Sequence, residues 1–159
     1  MKTRTPSRRR FLSGSLAMAT TCAWPAWPAW AAPLPPMQVW KSSSCGCCKD
    51  WIAILQREGF KVQVFDEGNN AARARFGLPA RYGSCHTARI GGYVVEGHVP
   101  VREIRRLLEQ KPDAVGIAVP GMPLGSPGMD GPDYGGRKDP YDVLLINRDG
   151  GSRVFSSYR

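Results

Sequence analysis

Three cysteines in four residues, Cys45-Gly46-Cys47-Cys48, stand between a stretch that alternates like a strand, Met37 to Lys41, and one with helical periodicity, Lys49 to Gly59. In the second stretch Cys48, Trp51, Ile52 and Leu55 recur at i, i+3, i+4 and i+7, so one face of the helix is apolar and turns inward. Ser43 or Ser44 suits the helix cap, and Gly59 suits a left-handed residue at its end. The thiols are therefore predicted in a strand-to-helix turn, where the first-turn N–H groups are unpaired and the helix dipole is positive. Such surroundings favour thiolate, the form that binds metal and attacks disulfides. A fourth thiol, Cys85, follows in Ser84-Cys85-His86-Thr87.

The spacing discriminates among metals. A tetrahedral zinc site with four thiolates normally draws them from two separated pairs, whereas C-x-C-C crowds a single centre because adjacent side chains diverge. Thiolates bridging several Cu(I) ions escape that crowding, and sulfur donors select Cu(I) in any case. The pattern thus favours a Cu(I) thiolate site, with one ion or several, over zinc. The same run contains a C-x-x-C, Cys45 and Cys48, that can serve as a redox pair. Purely structural disulfides are the competing reading, open to an exported domain. Cys45–Cys48 with Cys47–Cys85 is then the least strained pairing, although loops this short constrain little of the unfolded chain.

Around the cluster the elements fall in a regular order. Lys61 to Phe65 reads as a second strand with Val62 and Val64 on one face, which makes a βαβ unit and a parallel pair. Asn69 or Asn70 caps a short helix running to Phe76, stopped by Gly77 and Pro79. Thr87 to Ile90 and Tyr93 to Glu96 form a hairpin about Gly91-Gly92. Pro100 opens a further helix at its first position, with Val101, Ile104, Leu107 and Leu108 inward and Pro112 closing it. Val115 to Val119 is extended, and Pro120 to Asp133 is a long loop rich in turn formers, of the kind that is functional or disordered in compact domains. Tyr141 to Asn147 and Arg153 to Tyr158 close the chain as a hairpin. The expected fold is α/β, a thioredoxin-like mixed sheet with flanking helices plus a C-terminal hairpin.

Three further residue types bear on the site. Met122 and Met129 carry soft thioethers in the long loop, where there is little core to fill, and are candidate copper ligands or caps. His86, beside Cys85, is a candidate ligand or a support for the thiolate. His98, in Gly97-His98-Val99-Pro100, reads rather as a residue that caps or packs at the helix entrance.

The N-terminus is read as an address and kept out of the fold. Ser7-Arg8-Arg9-Arg10-Phe11-Leu12 resembles the bacterial twin-arginine signal, and Ala29-Trp30-Ala31 fits small-x-small cleavage. Residues 1–31 are the expected signal peptide, and 32–159 a single metal-binding domain, exported to the periplasm. The apolar run from Phe11 to Ala23 is short of the roughly 20 residues that cross a bilayer, so no stable membrane insertion is expected. Cleavage would remove five cations and no acid, taking the formal charge from +9 to +4, and would remove Cys22, leaving four of the five cysteines. The high charge is then largely a targeting signature, not a nucleic-acid footprint.

Cys45 to Cys48, Ser84 to Thr87, Gly97 to Pro100 and Val119 to Met129, in this order, resemble the CopG-like family of periplasmic copper-handling proteins over roughly Met37 to Tyr158. The resemblance implies a thioredoxin-like fold, Cu(I) bound through cysteines, and a part in copper resistance or homeostasis, with a proposed copper oxidoreductase role. By position the ligands would be Cys45, Cys47, Cys48 and Cys85. The expected partners are periplasmic copper donors or acceptors. Two activities remain open: Cu(I) capture and transfer, or thiol-disulfide or copper oxidoreduction through Cys45 and Cys48.

Overall fold

The computed structural model describes residues 33–159, so the expected signal segment 1–31, with Cys22, lies outside the described residues. In chain order the elements are β1 (Met37–Lys41), α1 (Gly46–Arg57), β2 (Val62–Phe65), α2 (Asn69–Arg75), β3 (His86–Ile90), β4 (Tyr93–Glu96), α3 (Val101–Gln110), β5 (Gly116–Ala118), β6 (Tyr141–Ile146) and β7 (Ser152–Tyr158). The seven strands form one sheet in the order β2-β1-β3-β4-β5-β6-β7. β1 pairs with β2, and β4 with β5, in parallel; the other neighbours are antiparallel. Each parallel pair is bridged by a helix, α1 or α3, as a crossover requires. The β3–β4 turn needs left-handed backbone at two successive positions, and Gly91 and Gly92 supply it at φ +55° and +89°.

The two faces of the sheet bury alternate residues. Met37 and Val39 of β1, Val95 of β4, Ile117 of β5 and Leu145 of β6 pack with Trp51, Ile52 and Leu55 of α1 and with Ile104 and Leu107 of α3. Their opposite-facing neighbours Val94, Ala118 and Ile146 pack with Leu78 and Tyr82 of the segment after α2. Each fully buried leucine or isoleucine contributes about 1.5–3 kcal/mol, so α1 is anchored on the sheet mainly by the stripe foreseen from its periodicity. Trp51 also donates its indole N–H to the Val99 carbonyl at 2.9 Å, tying α1 to the entrance of α3. At the C-terminal end, Tyr158 donates to the buried Glu103 of α3 at 3.0 Å, and Arg106 lies over the Phe155 ring. The C-terminal hairpin is thereby fastened to α3.

Several local expectations shift. Helix α1 begins three residues earlier than the sequence suggests, because Cys45 N–H bonds the Ser42 carbonyl at 3.1 Å and sets the turn there. Cys45 becomes the cap, without a side-chain cap bond, while the Ser42 and Ser44 hydroxyls bond each other at 3.0 Å. Helix α2 is capped by Gly68, not by an asparagine, since Asn69 and Asn70 spend their amides on other contacts. Pro100 is the cap of α3, one place before the first turn. β2 is an edge strand, and Val64 there is 38% exposed. Among the described residues no helix is long and apolar enough to cross a membrane.

Candidate metal centre

The sheet's pairing pattern assembles the cysteines. In the antiparallel β1–β3 pair Lys41 stands opposite His86, so the end of β1, where the cysteine run begins, meets the start of β3, which Cys85 immediately precedes. Cys45 caps α1, Cys47 and Cys48 lie in its first turn, and Cys48 is fully buried. The first turn holds no acidic residue, so its free N–H groups and positive dipole end face the sulfurs uncontested. All four sulfurs lie within 4.8 Å of one another, close to the span of two metal–thiolate bonds of about 2.3 Å each.

Within this group Cys45 and Cys48 form a disulfide, and Cys47 and Cys85 are free thiols. The first half of the alternative disulfide pairing is therefore present and the second is not. Cys47 Sγ lies 3.5 Å from Cys45 Sγ, and Cys48 Sγ lies 3.8 Å from the Cys85 carbonyl oxygen. Burial, followed by the neighbouring Cys47, pushes the Cys85 thiol up to about 12. Cys85 is thus protonated in the metal-free protein, and any soft cation that binds it must displace that proton.

Two histidines complete the setting. His98 Nδ1 lies 2.9 Å from the Pro127 carbonyl. A carbonyl only accepts, so Nδ1 carries the proton and Nε2 offers a lone pair. That Nε2 is 3.1 Å from Cys85 Sγ, and the thiol donates to it. His86 Nδ1 is 3.4 Å from the same sulfur, while its buried Nε2 has no partner. An unpartnered lone pair costs less than an orphaned N–H, which assigns the His86 proton to Nδ1, donating to sulfur. Burial holds His86 down at about 3 and lowers His98 as well, so both rings are neutral. Cys85, His86 and His98 thereby form a second donor group that shares one sulfur with the first.

The methionines separate. Met122 is 52% exposed, whereas Met129 is 7% exposed, at the end of the stretch of long loop that lies on α1. That loop is pinned where Gly128 crosses the helix start, so close that a Cβ there would sit 2.8 Å from Cys47 O. His98 was the residue that sequence reading left out of the site. A signal for it existed: counting outward from the Gly91-Gly92 turn through Thr87↔Glu96, two more steps put Cys85 opposite His98.

A mixed α/β protein with four sulfurs and two neutral imidazoles gathered at a helix start has a donor set that could hold a soft metal ion. Comparisons with known proteins narrow this reading. A family described as "Protein of unknown function, DUF411" matches residues 82–129, and no curated protein matches. A solved structure named "Copper resistance protein copG- Form 1" is 46% identical, covers 78% of this chain and 98% of its own, and superposes with a TM-score of 0.71. A second, "Copper resistance protein copG- Form 2", is 45% identical, covers 80% and 99%, and has the same TM-score of 0.71. The chain belongs to the CopG family of copper resistance proteins. Family and cysteine cluster together support a copper-related function.

Proposed function

We propose that this chain is a periplasmic Cu(I)-binding protein of copper resistance, carrying Cu(I) as cargo on Cys45, Cys47, Cys48 and Cys85 once the Cys45–Cys48 disulfide is reduced. The observation that supports this reading is the gathering of four sulfurs within 4.8 Å in a chain whose relatives are named for copper resistance. Reduction by a dithiol opens the bond with two electrons and two protons, giving the site two more donors. Each thiol that ligates then releases its proton. His98 Nε2 already faces Cys85 Sγ and either accepts that proton or joins the ligand set. Met129, His86 and, with less support from its exposure, Met122 are further donors. Export by the 1–31 segment, and exchange with periplasmic copper donors or acceptors, belong to the same proposal.

The disulfide itself favours a second reading, oxidoreduction. The reduced Cys45/Cys48 pair can give two electrons to two Cu(II) ions, yielding two Cu(I), the disulfide and two protons. One experiment separates the readings: anaerobic Cu(I) titration of the oxidised and the dithiothreitol-reduced protein against a strong chelator. The cargo reading expects tight uptake of one or more ions by the reduced form and at least tenfold weaker uptake by the oxidised form. Cys47→Ser is expected to lose affinity while leaving Cys45–Cys48 exchange with a model disulfide intact. Equal, weak uptake by both redox forms, with rapid turnover of the model disulfide, would overturn the cargo reading. Tight uptake of zinc in preference to copper would replace the metal.

A further inference from the structure

A buried and fully bonded charged pair, Arg73 and Glu96, lies next to the site, outside the sulfur cluster. Glu96 ends β4 and is fully buried. Its Oε1 accepts from Arg73 Nε at 2.9 Å, from Arg73 Nη2 at 2.7 Å and from the Ser84 backbone N–H at 2.6 Å. Its Oε2 accepts from the Thr87 hydroxyl at 2.7 Å. Arg73 in turn donates to the Ser84 carbonyl at 2.8 Å and to Asn70 Oδ1 at 2.8 Å. One carboxylate and one guanidinium therefore grip Ser84 by both its peptide groups, and the same carboxylate holds Thr87. Between these two held residues are only Cys85 and His86. Asn69, four residues before Arg73 on α2, donates to the Cys85 carbonyl at 3.3 Å.

A buried ion pair is poor evidence of a stability device, because well-packed apolar residues of similar volume often do as well. What an apolar pair cannot do is fix the direction of four backbone and side-chain bonds at once. A lysine could not do so either, since a single ammonium lacks the planar fork that reaches a carboxylate and a carbonyl together. We propose that the Arg73–Glu96 pair positions Cys85, holding its sulfur against the helix-borne cysteines. It is a positioning pair, acting through the Ser84–Thr87 backbone without touching the cargo. Its bearing on copper rests on the thiolate reading of the site.

The test compares the full chain with the double variant Arg73→Met/Glu96→Leu, which removes both charges together, and with Thr87→Val, which removes one arm. Two readouts are taken beside the thermal midpoint. The first is Cu(I) affinity of the reduced protein by chelator competition, expected to fall about 10- to 100-fold in the double variant, the usual effect of losing an outer support of a metal site. The second needs no copper: diamide takes two electrons and two protons from the Cys47 and Cys85 thiols as their S–S bond forms, in protein with Cys45–Cys48 still oxidised. That cross-link, mapped by peptide mass, is expected to form at least about tenfold more slowly when Cys85 is loosened. Wild-type affinity and wild-type cross-linking in a folded double variant overturn the proposal. If the double variant does not fold cooperatively, Thr87→Val decides: slower linking at an unchanged midpoint supports positioning, and an unchanged rate refutes it. If the wild-type chain takes up no Cu(I), the functional reading fails while the cross-linking comparison still judges the pair.

Discussion

His86 is a titratable ring enclosed completely, its centre 4.3 Å from that of Trp51 at a tilt of 36° and edge-on to His98 at 5.0 Å. In the unfolded chain it takes a proton near 6.5; in the folded protein burial defers that to about 3. Below 6.5 the unfolded state therefore binds more protons, and this contribution to stability is lost as pH falls through that window. The slope approaches about 1.4 kcal/mol per pH unit for one proton. Urea unfolding from pH 7 to 4 should show it, and His86→Phe, which keeps an aromatic against Trp51, should flatten the curve. Parallel curves for the two proteins would remove His86 as the cause. The same ring shows how far single residues can be read in advance. Its neighbourhood to Cys85 is visible in the sequence, but its enclosure comes from Trp51 and His98, which lie 35 and 12 positions away.

At the scale of elements, the long connection between β5 and β6 is more ordered than its glycines and prolines suggest. Gly121 N–H bonds the Gly83 carbonyl at 3.2 Å, Gly125 N–H bonds the Met129 carbonyl at 2.8 Å, and Asp139 N–H bonds the Leu124 carbonyl at 2.9 Å. Together with the His98–Pro127 bond, these make it a fitted cover over the start of α1. Gly128 is its tightest point, at φ +83° and with a Cβ position 2.8 Å from both Cys47 O and Trp51 N. Gly128→Ala should cost at least about 1–2 kcal/mol from the left-handed backbone alone, with added cost from the clash, and should increase thiol access at Cys47. Alkylation rate and thermal midpoint check both; a stable variant with an unchanged rate would show that the cover is not seated there. Strands and helices with a clear period, such as α1, α3 and the β3–β4 hairpin, were legible from local pattern. The caps of α1 and α2 were not, because Ser44 and Asn70 are taken up by side chains within a turn of them, Ser42 and Arg73, while Asn69 reaches the distant Cys85 carbonyl.

For the whole molecule, the redox state of Cys45 and Cys48 should alter the site far more than the fold. The bridge closes a loop of only three residues' separation, for which chain entropy gives a stabilisation of about 2 kcal/mol. Reduction should therefore lower the unfolding free energy by roughly that amount and leave the far-ultraviolet circular dichroism unchanged. Loss of cooperative unfolding on reduction would show that the bridge is a structural staple after all. The sulfur cluster was legible as far as its cysteine run and its partner Cys85; its closure was not, because it depends on β1 and β3 lying side by side in antiparallel register, a pairing no local pattern states. That adjacency has a final consequence. Three sulfurs arrive before β2 and the fourth after α2, so an ion held by all of them would act as a clasp across the β1–β3 pairing. A denaturant would then have to break the load's own bonds before it could part those two strands, and the load would leave only when the architecture does, or when a partner takes it sulfur by sulfur.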